Sequence, residues 1–399
     1  MEGEFIQVNK KLLPLSWLYG LGVGFRNLLF ELNILKSRSY DSPVISVGNI
    51  TVGGTGKTPH VEYLVRLLKD RAHVAVLSRG YKRKSTGFVL ATEKSTVRDL
   101  GDEPCQIKQK YPEIDVAVDK KRTRGIDYLL NGHKTDKEVD VILLDDAYQH
   151  RYVKPGLSIL LVDYHRQIIY DKLLPAGRLR EPAKGKDRAD IVIVTKCPKT
   201  LTPMEFCVLT RQMNLYPYQQ LYFTTIDYAP LYPLDKGAEV GLPKTLNELT
   251  GHNVLLLTGI ASPSQMTLDL TPHTASIHHL SFSDHHDFKE KDIRRINQAF
   301  EALASPKLII TTEKDATRLK SAKELNDEVR KHCCVLPVKV SFMQQGEETF
   351  NEKIIDYVRK NSRNSILAES KDDNKSEDGN CSGNRPRTIS FRNNCQDGI

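Results

Sequence analysis

The chain has 399 residues, of which 39% are hydrophobic and 27% charged, and its formal net charge is +8. That length allows two domains with a sizeable core, and the composition excludes a polytopic membrane protein. Residues 362–399 hold six Lys/Arg and six Asp/Glu, so the positive excess lies in the body of the chain and suggests an anionic partner.

Residues 12–35, LLPLSWLYGLGVGFRNLLFELNIL, are rich in Leu, carry the single tryptophan Trp17 and are flanked by Lys10, Lys11, Lys36 and Arg38. Arg26, Asn27, Glu31 and Asn33 interrupt the second half, which argues against a spanning helix of about twenty apolar residues. No small-residue cleavage site follows, so a secretory signal is disfavoured. Two readings are open. One is an amphipathic helix in a membrane interface, which Trp17, Tyr19 and the flanking lysines suit; the other is a helix docked on the protein's own core.

The apolar run 43–47 predicts a strand, and 60–68 predicts a helix. Between them lies Thr51-Val52-Gly53-Gly54-Thr55-Gly56-Lys57-Thr58, followed by Pro59. Strand, glycine-rich loop and helix form the context of a phosphate-cradling P-loop. Glycines let successive backbone N–H groups turn toward one anion, and the helix N-terminus adds partial positive charge. Lys57 is placed to reach the β- and γ-phosphates and Thr58 to hold Mg²⁺. Thr51 stands where the general pattern has its first glycine. Pro59 is tolerated in the first turn, where no N–H bond is lost.

A second strand, 73–78, ends in the basic run Arg79, Lys82, Arg83 and Lys84, at the strand end where open α/β sheets bind ligands. In Gly101-Asp102-Glu103-Pro104, Asp102 reads equally as a helix N-cap or as a carboxylate aimed into a cleft. The strand 115–118 precedes Lys120, Lys121, Arg122 and Arg124. The apolar strand 139–144 then runs into Asp145-Asp146, the arrangement that holds Mg²⁺ opposite the phosphates in P-loop enzymes. Strands at 157–163 and 191–196 continue the parallel series, with an Arg-rich loop, 174–182, between them. Pro198 stands where guanine-reading P-loop proteins carry an Asp, which disfavours guanine.

The turn-rich stretch 221–243 marks a domain junction. Beyond it, 253–260 and 307–312 read as strands of a second, smaller α/β unit. Its loop Ser281-Phe282-Ser283-Asp284-His285-His286-Asp287-Phe288 is either a metal-capable cluster or a helix-capping aspartate beside surface histidines. The tail 362–399 reads as disordered. Seven cysteines with no C-x-x-C pair read as reduced thiols in a cytoplasmic compartment.

TVGGTGKTP, LSRGY, GDEP, DDAYQHR, LLPAGRLREP, SDHHDF and TTEKDATR occur in this order. With these motifs the chain resembles the tetraacyldisaccharide 4'-kinases of the lipid A pathway in Gram-negative bacteria. The family tolerates Thr at the first P-loop position. It usually has Phe where Tyr148 stands, and the polar tail lies outside its pattern. The resemblance implies transfer of phosphate from ATP to the 4'-hydroxyl of a tetraacylated glucosamine disaccharide 1-phosphate, giving lipid IVA. It also implies a peripheral protein on the cytoplasmic face of the inner membrane, which tilts 12–35 toward the interfacial helix.

On the same basis Asp102 is the base, assisted by a histidine of the second domain that matches His285 better than His286. Asp145, Asp146 and Thr58 serve Mg²⁺. Arg178, Arg180 and Glu181 are candidates for the phosphate surroundings, and the basic clusters near Arg79 and Lys120 for the substrate's 1-phosphate or anionic lipid heads. The expected fold is a P-loop NTPase-like α/β domain, mostly parallel, at 39–222. An interfacial helix at 1–38 precedes it, and a smaller α/β unit at 223–361 closes over the site. The competing reading is a hydrolytic P-loop ATPase of a switch or partitioning type. No RNA-binding signature is present, so nucleic acid is not expected as a partner.

Overall fold

The computed structural model describes residues 6, 8–132, 138–235, 242–260, 263–284, 286, 288–320, 322 and 324–362. Of the sequence expectations, His285, Asp287 and nearly all of the tail 362–399 lie outside the described residues.

Among the described residues, short runs rich in β-branched residues and Leu supply fourteen strands: β1 (Val44–Gly48), β2 (Val74–Ser78), β3 (Val89–Leu90), β4 (Asp115–Val118), β5 (Val141–Asp145), β6 (Leu157–Asp163), β7 (Ile191–Thr195), β8 (Gln220–Tyr228), β9 (Tyr232–Pro233), β10 (Asn253–Thr258), β11 (Ser276–Ser281), β12 (Lys307–Thr312), β13 (Cys333–Leu336) and β14 (Val338–Phe342). Nine of them form one sheet in the order β14-β8-β7-β6-β1-β5-β2-β4-β3, and five form another in the order β11-β10-β12-β13-β9. The interior of the larger sheet is parallel, and the edge strands β3 and β14 run antiparallel to their neighbours. β1, β2, β5 and β7 are buried along their whole length, which is why they read as unbroken apolar runs rather than alternating ones. The order reverses at β1, between β5 and β6. At such a switch point an open sheet leaves a crevice at the carboxyl ends of its strands, and the P-loop leaves β1 there.

The smaller sheet is parallel except for β9. The chain crosses to it between Tyr228 and Tyr232, inside the predicted junction 221–243, and returns at Pro337. The two crossings lie side by side, with the Ala229 N–H donating to the Pro337 carbonyl (3.0 Å). Residues 338–361, expected in the smaller unit, belong with the larger sheet. β14 pairs with β8, and Phe350, Ile354 and Val358 of the helix Gly346–Asn361 join the core beneath β1 and β6. This return could not be read from local pattern, because a strand edge and an amphipathic helix fit either sheet.

Candidate functional site

The P-loop runs from β1 into the helix Lys57–Leu68. Gly56 caps that helix with φ 80°, a left-handed conformation that costs glycine little and turns the preceding peptides toward the helix axis. Neighbouring chain braces the loop from outside. The Val52 N–H donates to the Arg178 carbonyl (2.8 Å), the Arg180 N–H to Ile50 (2.8 Å), and the Thr195 hydroxyl to Thr55 (3.0 Å). From inside, the Asn49 amide donates to the Thr55 hydroxyl (2.8 Å) and to the Thr51 hydroxyl (3.3 Å). A further brace is the buried His60, whose Nδ1 meets the Gly56 carbonyl (2.7 Å) and whose Nε2 meets the Thr224 hydroxyl (3.1 Å). Burial pushes the His60 pKa down to about 4, so the ring acts as a neutral strut. The Lys196 ammonium also donates to Gly54 and pairs with Asp163.

Opposite Lys57 stands the end of β5. Lys57 Nζ lies 3.7 Å from Asp146 Oδ1, and Arg180 Nη1 lies 3.7 Å from Asp146 Oδ2. Asp145 is buried and accepts from the Ser78 hydroxyl through Oδ2 (3.1 Å), whereas its buried Oδ1 has no hydrogen-bond partner among the described residues. Burial, then Asp146 and Glu103, raises the Asp145 pKa to about 6. The desolvated Asp145 oxygen beside Asp146 is a donor type that suits a hard divalent cation, although among the described residues no group of three or more His, Cys, Asp or Glu is arranged to hold one. Thr58 lies in the first turn of the helix, next to Lys57.

Asp102 is not a helix cap. The N-cap of the helix Asp102–Lys110 is Gly101, at φ 90°, where an added Cβ would meet the Tyr81 carbonyl at 2.8 Å. Asp102 falls in the first turn, 2% exposed, with its carboxylate gripped by Arg318 from the smaller unit. Glu103 follows it and is near enough to perturb Asp145, so this helix start borders the acidic end of β5. His286 bonds Asp292 Oδ2 through Nε2 (2.9 Å), and Asp292 also accepts from the Lys289 N–H at the start of the helix Glu290–Glu301. Among the described residues, Asp292, at the third position of this helix, is the aspartate that caps its start.

The basic clusters divide. Arg124 pairs with the buried Asp119 through two bonds (2.7 and 2.9 Å), and Arg83 donates to the Val118 and Gly87 carbonyls, so both hold loops together. Arg122 reaches the Asp146 carbonyl (3.3 Å), and burial lowers its pKa to about 10. His150 is pushed down to about 4 by burial and then by Arg122, Arg26 and Arg79, which places these three cations around one ring. Arg26 comes from the helix Leu13–Glu31, which sequence reading did not connect to this cluster. Beside it a cleft of about 280 Å³ is lined by Tyr19, Arg26, Gln149, Arg151, Arg180 and Glu181, among others.

Sequence reading also missed His60, Asn49 and Arg318. Asn49 and His60 flank the P-loop, and Arg318 closes the TTEKDATR motif, so the available signal was adjacency to a motif rather than residue type.

A P-loop at the switch point of a parallel sheet, an acidic strand end facing its lysine and a buried carboxylate from a third element define a phosphotransferase of the P-loop class. Residues 8–359 match the family model described as tetraacyldisaccharide-1-P 4'-kinase, and the chain belongs to that family. It is 56% identical over 367 residues to the tetraacyldisaccharide 4'-kinase of Phocaeicola vulgatus, covering 92% of this chain and 99% of that one. With the Bacteroides thetaiotaomicron enzyme of the same name it shares 51% over 375 residues, 92% of this chain and 98% of the other. Its fold is similar to the crystal structure of LpxK from Aquifex aeolicus in complex with ATP, with a TM-score of 0.65 and 29% identity over 88% of this chain and 99% of that one.

Proposed function

We propose that this chain uses ATP to phosphorylate the 4'-hydroxyl of a tetraacylated glucosamine disaccharide 1-phosphate, with Asp102 as the base. The carrying observation is the buried Asp102 carboxylate at a helix start that borders the acidic end of β5. In the reaction the sugar oxygen forms a bond to the γ-phosphorus, the bond to the β,γ-bridging oxygen breaks, and the hydroxyl proton passes to Asp102. Lys57 and the N–H groups of 53–58 bind the phosphates of ATP and offset charge as it shifts to the leaving ADP. Asp145, Asp146 and Thr58 are the residues that would hold Mg²⁺, which when bound neutralises phosphate charge. His285 is kept as the histidine that assists Asp102, on the motif alone.

The acceptor carries four acyl chains and stays in a bilayer. Support for docking at an anionic membrane surface comes from the helix Leu13–Glu31, whose Leu15, Trp17, Leu18, Leu21 and Phe25 are all more than half exposed. No helix among the described residues is long and apolar enough to cross a membrane. Arg26 and Arg79, both exposed, are the cations that could meet a lipid phosphate once the helix lies on the surface. We place the protein peripherally on the cytoplasmic face, where ATP is available.

The test follows labelled γ-phosphate into lipid and into free phosphate, using Mg·ATP and detergent-dispersed tetraacyldisaccharide 1-phosphate. Lipid labelling that Asp102→Asn abolishes supports the reading. Free phosphate without labelled lipid would replace it with a hydrolytic ATPase.

A further inference from the structure

The helices Asp102–Lys110 and Glu313–Leu319 meet across the contact between the two sheets, and the contact is built from charges. Lys110 pairs with Glu313 (2.6 Å) and also with Glu62 of the P-loop helix (2.6 Å). Lys314 pairs with Glu103 (3.3 Å) and Asp284 (2.9 Å). Arg318 Nε donates to Asp102 Oδ1 (2.8 Å) and Nη2 to Oδ2 (2.6 Å). Its remaining nitrogen, Nη1, donates to the backbone carbonyl of His286.

We propose that Arg318 is a positioning residue for phosphoryl transfer, a reading that rests on Asp102 being the base. A planar guanidinium that binds both oxygens fixes the plane of the carboxylate as well as its position. Through Nη1 the same side chain fastens the Asp102 carboxylate to the loop that carries the adjacent histidines. The base is on the larger sheet and its clamp is on the smaller one, 216 residues away in the chain. The carboxylate is therefore set only while the two units are docked, and ATP held at Lys57 before docking faces no oriented base.

Interface adhesion alone does not account for this arrangement, since the Lys110–Glu313 pair already links the same two helices without touching Asp102. That pair provides the control. Steady-state transfer to the detergent-dispersed lipid acceptor is measured for the parent, Arg318→Ala, Arg318→Lys, Glu313→Gln and Asp102→Asn, with folding checked by thermal melt. Arg318→Ala is expected to lose about 100-fold in kcat, the scale of a misplaced catalytic group. Its KM for ATP should stay within about twofold, because phosphate binding is unaffected. Added guanidinium at non-denaturing concentration should restore part of that loss. Arg318→Lys keeps the charge without the fork and should fall between parent and Arg318→Ala. Glu313→Gln, which leaves Lys110 its bond to Glu62, should stay within about threefold of the parent.

A folded Arg318→Ala with parental kcat, or one that guanidinium does not rescue, would overturn the proposal. So would a Glu313→Gln variant as impaired as Arg318→Ala. If Arg318→Ala does not fold, parental kcat in Arg318→Lys overturns it instead. Asp102→Asn separates the two layers. Activity there removes the base assignment itself, whereas an inactive Asp102→Asn beside a fully active Arg318→Ala removes only the positioning role.

Discussion

Two helices connect to the nucleotide loop, one directly and one through residues 173–180, and they are attached to the protein in opposite ways. The helix Lys57–Leu68 buries Val61, Tyr63, Leu64, Val65 and Leu68 in the core of the larger sheet and is held by apolar packing. The helix Leu13–Glu31 is just as rich in apolar side chains, yet only Ser16 and Phe30 are buried. Polar bonds hold it in place. Ser16 accepts from the Ala176 N–H (2.9 Å) and donates to the Leu173 carbonyl (2.9 Å), Tyr19 donates to Arg180 (2.8 Å), and Arg151 donates to Asn27 (3.2 Å). Residues 173–180 are the same loop that braces the P-loop through Arg178 and Arg180. Packing thus fixes the helix that carries the lysine. Directional bonds fix the helix that leaves its hydrophobic surface bare, and they tie that surface to the nucleotide loop.

The largest expected effect lies at the first turn of the packed helix. Lys57→Ala should lower kcat/KM for ATP about 1,000-fold or more, since a charge aimed at the transferring phosphate is lost from a site enclosed by protein. Its melting temperature should hardly move, because Lys57 contributes no core packing. Next, Leu64→Ala in the same helix should cost about 3 kcal/mol in urea unfolding, the usual scale for a Leu truncated in a closed core. Leu21→Ala on the other helix, where the side chain is 71% exposed, should stay within about 0.5 kcal/mol. Equal costs at the two leucines would mean that the first helix is packed against something, and the contrast would fail.

The legible half of this site is the half that is local in sequence. Thr51 to Thr58 and Asp145-Asp146 announce themselves because strand, turn and helix follow one another within a few residues, so pattern and geometry coincide. The parallel strand series was legible for the same reason. Asp102 was ambiguous because a first-turn carboxylate serves equally as a helix-end charge and as a chemical group. Its partner Arg318 lies on another sheet, and no local period connects them. The return of 338–361 to the larger sheet was hidden in the same way, since only the antiparallel pairing of β14 with β8 decides it.

The bare face should show itself on lipid rather than in unfolding. In the membrane-surface reading, Trp17→Ser combined with Leu21→Ser should weaken binding to vesicles containing anionic lipid by about tenfold or more, as expected for removing two large side chains from an interface. Stability in solution should be unchanged. Unchanged vesicle binding would detach the exposed face from any membrane role and leave its apolar surface unexplained.

The smallest expected effect tests whether the polar docking sets the electrostatics of the site. Arg26 rides on the helix Leu13–Glu31, where its guanidinium donates to the Gln149 carbonyl (3.3 Å), and it is one of three cations that depress His150 after burial. The folded pKa of about 4 lies below that of a free imidazole, so the unfolded chain takes up a proton first as pH falls. The stability that neutral His150 contributes is therefore complete above about pH 6.5 and is lost progressively as pH drops toward 4. Removing one positive charge makes protonation easier in the folded state. Arg26→Gln should raise the His150 pKa by a few tenths of a unit, read from the imidazole resonances in an NMR titration, and should soften the acid loss of stability. A pKa that does not move would mean that in solution the first helix does not hold Arg26 against Gln149. The link from the exposed apolar face to the nucleotide loop would then break at its first joint, even if every residue around Lys57 behaved as expected.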